Sequence, residues 1–237
     1  MSTYVLVHGA WHGAWVWEKV TPRLAEAGHR VIAVDLPGHG ADPTPVGDVT
    51  MAAYVGRVRE VLGNGEEPAI LVGHSMGGGV ITQAAEEQPE AVRTLVYVAG
   101  LIPRDGETMF DILSRDQDSL ILQNQVLAED NLSATIRAAA IPEIFYGDCS
   151  AEDIARATIR LVPQAIAPVV APIHTTRERF GTIPRVFLET LHDRAIPPAL
   201  QKEMYTAMPC DRVISLETSH SPFLSAPGVL AGHLASL

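Results

Sequence analysis

Short apolar runs alternate with amphipathic stretches through the first hundred residues. Thr3 to Val7 has the continuous apolar character of a buried strand, and a glycine-containing loop from His8 to Ala14 follows. Trp15 to Ala27 has helical periodicity and stops at Gly28, a residue suited to a helix C-terminus. Arg30 to Val34 predicts the next strand, closed by Asp35-Leu-Pro-Gly38. Val55, Val58 and Leu62 fall at helical spacing and predict a helix over Met51 to Leu62. Ala69 to Val72 then reads as a strand, Gly77 to Glu87 as a helix and Thr94 to Val98 as a strand. Strands alternating with helices predict right-handed crossovers and a parallel sheet.

The rhythm breaks after Ala99. From Leu101 to about Ile183 the chain predicts helical pieces punctuated by Pro103, Pro142, Pro163, Pro168 and Pro172, without strands. It then resumes with a strand over Pro184 to Glu189, a helix over Pro198 to Ala207, a strand over Arg212 to Leu216 and a closing helix from Pro227. The expected architecture is α/β: a mainly parallel sheet of about six strands flanked by helices. Residues 1–100 and 184–237 would form the core, and residues 101–183 a small helical cap inserted before the penultimate strand.

Composition narrows the class. The 237 residues suit one domain with a small insert, and 47% hydrophobic against 19% charged residues is an ordinary globular mix. No apolar run approaches the roughly 18 residues that span a bilayer. The first strand begins so close to Met1 that no signal peptide is expected. Cys149 and Cys210 are too few for a disulfide framework, so a reduced, cytoplasmic protein is expected. A formal net charge of -11 with no Lys/Arg cluster argues against nucleic acid or an anionic membrane as partner, and favours a small neutral or apolar ligand. A monomer and a homodimer fit equally well.

The strongest candidate chemistry is Gly73-His-Ser-Met-Gly77, between a predicted strand and a predicted helix. A serine on so tight a strand-to-helix turn holds its hydroxyl above the sheet, and the flanking residues must be tiny to avoid collision. The helix N-terminus behind Ser75 favours negative charge developing on a substrate oxygen. A serine hydroxyl needs an adjacent base and a group that orients it. Nine histidines are available. Chain order in this arrangement runs serine, acid, histidine, with the histidine after the last strand. That selects His220 in Thr218-Ser-His-Ser-Pro222, and Asp193 on the loop after the preceding strand, over the competitor Glu189. The oxyanion hole calls for the amide after the serine and one from the loop after the first strand, Met76 and Ala10. His8 and His12 are four apart, but in a loop and without a carboxylate, so no metal site is expected.

With these residues assigned, the chain resembles the esterase and hydroxynitrile-lyase branch of the α/β-hydrolases, which includes plant methylesterases and bacterial relatives. The resemblance spans almost the whole chain. It is carried by Val5-Leu-Val-His-Gly-Ala10, Trp11-His-Gly-Ala-Trp15, Gly73-His-Ser-Met-Gly-Gly78, Phe145-Tyr-Gly-Asp-Cys149, Arg185 to Ile196 and Ser219-His-Ser-Pro-Phe-Leu-Ser225. It implies the α/β-hydrolase fold, a cap over the active site, and no cofactor. The branch's lyases carry Thr directly after the first-strand His and Lys directly after the catalytic His; here those positions are Gly9 and Ser221. The expectation is therefore a serine carboxylesterase acting on small hydrophobic esters through an acyl-enzyme. Phe110, Phe145, Tyr146 and Leu161 are the cap's candidates for binding the substrate. Cyanohydrin cleavage, hydrolysis of a thioester or lactone, and non-catalytic binding of a small molecule are the alternatives.

Overall fold

The strands that run apolar along their whole length occupy the middle of the sheet, where both faces are covered. The computed structural model describes residues 1–65 and 67–237. The first half of the core comprises β1 (Thr3–Val7), α1 (Thr21–Glu26), β2 (Arg30–Val34), α2 (Met51–Gly63), β3 (Ala69–His74), α3 (Gly77–Glu87) and β4 (Val92–Val98). An inserted region, expected to form the cap, follows, with α4 (Met109–Arg115), α5 (Leu120–Asn124), β5 (Gln125–Leu127), β6 (Ser133–Ile136), α6 (Ile141–Phe145), α7 (Ala151–Thr158), β7 (Gln164–Ala165) and α8 (Ile166–Val170). The core is completed by β8 (Arg185–Thr190), α9 (Pro198–Ala207), β9 (Arg212–Leu216), α10 (Pro222–Ser225) and α11 (Pro227–Ala235). Six strands pair in the order β2-β1-β3-β4-β8-β9, all parallel. Every residue of β3 is buried, whereas the edge strand β9 alternates in its second half between exposed and buried positions.

Two expectations are corrected. The stretch from Trp15 to Ala27 is not one helix: a short 3-10 turn covers Ala14–Trp17, and α1 begins only at Thr21 with Pro22 in its first turn. Proline fits the start of a helix, where its missing N–H costs nothing, and not the interior. The cap region is also not purely helical. Its strands β5, β6 and β7 form a three-stranded antiparallel sheet. These strands have two to four residues each, too short to display a two-residue alternation above the surrounding sequence.

Two contacts lock the ends of the chain path together. The Tyr4 hydroxyl, in the interior strand β1, donates to the carbonyl of Leu234 in α11 at 2.6 Å. Buried Glu86 on α3 accepts from the Thr176 amide and hydroxyl, each at 2.8 Å, and from the Phe180 amide at 3.1 Å. It thereby fixes the segment by which the chain returns from the cap region to β8. Among the described residues no helix is long and apolar enough to cross a membrane.

Candidate active site

Ser75 sits where β3 turns into α3, at a φ of 53°, in the left-handed region that a non-glycine residue enters only under constraint. The constraint is visible in its backbone bonds. The Ser75 amide donates to Val98 in β4 at 3.2 Å, and its carbonyl accepts from Gly78 and Leu101, each at 2.9 Å. The glycines of the turn are sterically required. A Cβ on Gly73 would lie 2.6 Å from the Gly77 carbonyl oxygen, and one on Gly77 would lie 2.6 Å from that of His8.

His220 and Asp193 come from loops after β9 and β8, both almost completely buried. Their link is a 2.7 Å hydrogen bond from His220 Nδ1–H to Asp193 Oδ2. The same carboxylate accepts from Thr190 Oγ1 and from the amides of Ala195 and Ile196, each at 2.8 Å. With a longer bond from Gln201 Nε2 at 3.4 Å, five donors fix its plane, and through it the tautomer and orientation of His220. His74, the residue before Ser75, donates from Nε2 to the His220 carbonyl at 2.9 Å, so the turn bearing the hydroxyl also carries the loop bearing the imidazole. Among the described residues no hydrogen bond joins Ser75 Oγ to His220. In an unliganded serine site such a bond is commonly long or poorly aligned and tightens when substrate arrives.

Ala10, Ser75 and Met76 line one cavity of about 260 Å³. Among the described residues the amides of Ala10 and Met76 donate to no other protein group, which leaves both N–H vectors available for an oxyanion. The cavity is otherwise apolar, walled by Met109, Leu113, Ile121, Ile166 and Ile196 among others, with Gln125 and Gln164 as its other polar residues. Phe110, Leu127 and Val170 line it and are also exposed, and so mark its mouth. Of the four cap residues expected to bind substrate, only Phe110 lines this cavity. Phe145 packs behind the site against His12 and His220, with ring centroids 5.9 Å from His220. The Tyr146 hydroxyl donates to His12 Nε2 at 2.8 Å. Leu161 packs against the hydrophobic core. Glu189, the competing acid, accepts from Tyr205 and Ser215 and takes no part in the His220 pair.

The loop bearing Ala10 is held by a polar network that sequence reasoning missed. Trp11 has a φ of 63°. Its indole N–H donates to Ala134 in β6 at 2.9 Å, its amide to Gln164 Oε1 in β7 at 3.4 Å, and its carbonyl accepts from Val162 at 2.9 Å. Gln164 in turn donates to the Tyr54 hydroxyl at 3.1 Å, Tyr54 pairs with His39 Nε2 at 2.9 Å, and His39 Nδ1–H donates to the His12 carbonyl at 2.7 Å. His12 Nδ1–H closes the circuit on the Ala10 carbonyl at 2.6 Å. The imidazoles beside the site are neutral. Burial holds His8, His39 and His74 below the usual histidine range and pushes His12 down to about 3. Among the described residues no group of three or more His, Cys, Asp or Glu side chains is placed to hold a metal.

Comparison with known proteins gives this geometry a context. The model of the alpha/beta hydrolase family matches residues 4–233. An Arabidopsis thaliana protein named as a candidate chloroplastic methylesterase, methylesterase 11, is 30% identical over 96% of this chain, which spans 61% of that relative's length. A pyrethroid hydrolase of Sphingobium wenxiniae is 32% identical over 99% of this chain and 87% of its own. Among solved structures, tomato methylketone synthase I in complex with 2-tridecanone superposes with a TM-score of 0.90 at 26% identity, covering 99% of this chain and 96% of that one.

Proposed function

Because the chain belongs to the alpha/beta hydrolase family, we propose that it is a serine carboxylesterase whose triad is Ser75, His220 and Asp193, acting on small hydrophobic esters. The observation that carries this reading is Ser75 on its strained turn, in one apolar cavity with the uncommitted amides of Ala10 and Met76, beside a buried His220–Asp193 pair whose loop is held by the adjacent His74. In the proposed reaction Ser75 Oγ bonds to the ester carbonyl carbon while His220 Nε2 takes its proton. The carbonyl electron pair moves onto oxygen, held by the Ala10 and Met76 amides. Collapse breaks the bond to the alcohol oxygen, which His220 protonates, and leaves Ser75 acylated. Water then attacks by the same route in reverse and releases the acid. Nucleophile, base and oxyanion donors all come from the chain, so this reaction calls on no cofactor.

Residues 101–183 act in this reading as the cap that supplies the apolar walls around the substrate, and the free thiols Cys149 and Cys210 suit a reducing compartment. The cyanohydrin-lyase alternative loses support at Gly9. A Cβ there would lie 2.8 Å from Ser75 Cβ and 2.9 Å from His74 Nδ1, so this loop has no room for a threonine.

The test is hydrolysis of short-chain p-nitrophenyl esters by wild type beside Ser75→Ala. Turnover by wild type that falls at least about 1,000-fold in the variant is expected; equal rates, or none in either folded protein, would sink the reading.

A further inference from the structure

The loop that carries His220 is tethered at three successive residues. The Thr218 carbonyl accepts from the His192 amide at 2.9 Å, and the His220 carbonyl accepts from His74 Nε2–H at 2.9 Å. Both partners belong to the sheet core. The third tether is different in origin. Asp148, in the loop after α6, accepts the Ser219 amide at 2.9 Å through Oδ2 and the Ser219 hydroxyl through Oδ1. Both oxygens of one carboxylate thus grip the residue immediately before His220, from the inserted region rather than from the core. The neighbouring hydroxyls of Thr218 and Ser221 are buried and have no partner among the described residues. Of these three hydroxyls, control of the loop falls to that of Ser219, beside the bond from His220 to Asp193.

We propose that Asp148 is a positioning residue for His220, and that through it the seating of the cap region on the core sets the register of the catalytic base. This rests on the esterase reading above. Asp148 does not line the cavity, so it acts through His220 and not on the substrate. Charge-assisted hydrogen bonds to backbone N–H and hydroxyl groups are among the stronger a protein makes, and two in parallel fix direction as well as distance. An imidazole displaced by about 1 Å from its productive place can cost up to about 100-fold in rate. A carboxylate clamping the preceding residue is suited to prevent that.

Five proteins test it with p-nitrophenyl acetate: wild type, Asp148→Ala, Asp148→Asn, His220→Ala, and Asp148→Ala combined with His220→Ala. Asp148→Ala is expected to lower kcat about 10-fold with KM within about twofold, since the substrate walls are untouched. Asp148→Asn is expected to stay within about threefold of wild type, because its Oδ1 can accept the Ser219 amide and its Nδ2–H can donate to the Ser219 hydroxyl. Against the His220→Ala background, Asp148→Ala should change the residual rate by less than about twofold, as required of a residue that acts only through the base. A loss that persists in that background, a loss confined to KM, or an Asn variant as poor as Ala would overturn the proposal.

A readout independent of turnover decides the same question. Solvent exchange of the His220 Nδ1 proton, followed by NMR, should accelerate in Asp148→Ala and stay near wild type in Asp148→Asn. An unchanged exchange rate in Asp148→Ala would refute the clamp. Should wild type fail to hydrolyse the ester, the esterase reading falls while this measurement still decides the role of Asp148.

Discussion

At the scale of single residues, the site was legible wherever chemistry imposes chain order. A serine between two glycines at a strand-to-helix turn, an acid after one strand and a histidine after the next can be ranked without coordinates. Asp148 and Trp11 could not be ranked that way. Their roles depend on partners 71 and 123 residues distant, Ser219 and Ala134, and nothing in the local sequence announces such contacts. Phe145 and Tyr146 could not be told apart from Phe110 for a related reason: a large apolar side chain reads the same whether it lines a cavity, like Phe110, or, like Phe145, packs behind one. Asp193→Asn makes the best residue-scale test of the triad. The amide retains an oxygen for the Ala195 and Ile196 amides but presents N–H groups to His220 Nδ1, favouring the wrong tautomer. A kcat lower by about 1,000-fold or more is expected, with the fold retained. A kcat within tenfold of wild type would remove Asp193 from the triad. Gly9→Ala tests crowding. Its Cβ would press on that of Ser75 at 2.8 Å, and a kcat lower by about 10-fold or more is expected, given the sensitivity of rate to small displacements.

At the scale of elements, strands were easy to find where they are buried on both faces and hard to find where they are short. The six strands of the large sheet fall within about two residues of their expected bounds, because an apolar run closed by glycine or proline has few other uses. The small antiparallel sheet stayed hidden, yet it holds the loop bearing Ala10 through Trp11. Trp11→Phe keeps most of the ring volume and removes the indole donor, which leaves the Ala134 carbonyl short of a partner. That costs about 1–3 kcal/mol of stability, or roughly 2–10 °C in Tm for a chain of this size. A Tm unchanged by differential scanning calorimetry would show that β6 does not depend on this bond.

At the scale of the whole molecule, four buried histidines set how the protein responds to acid. His8, His12, His39 and His74 are held neutral by burial, with pKa values below the unfolded one. Between the folded and unfolded pKa values the unfolded chain binds more protons than the folded one, so stability rises with pH across that window and falls as pH drops below about 6.5. Going from pH 7.5 to 5.5 should lower stability, by about 1.4 kcal/mol from His12 alone, with His8, His39 and His74 acting in the same direction. Urea unfolding at the two pH values measures this directly. Equal midpoints would mean that the histidines take up protons as readily in the folded protein as in the unfolded chain.

The hydrogen bond between Tyr4 and Leu234 also has a consequence for how the protein is made. On the ribosome the strand bearing Tyr4 emerges 230 residues ahead of the carbonyl its hydroxyl donates to. The nascent chain can pair β2, β1, β3 and β4 through neighbouring crossovers, since those strands are contiguous in order. It cannot satisfy that phenol until α11 has left the exit tunnel, nor bring Asp193 and His220 to Ser75 until β8 and β9 have emerged. The Ser75 turn can thus be assembled early in translation, while the histidine proposed as its base emerges long after it.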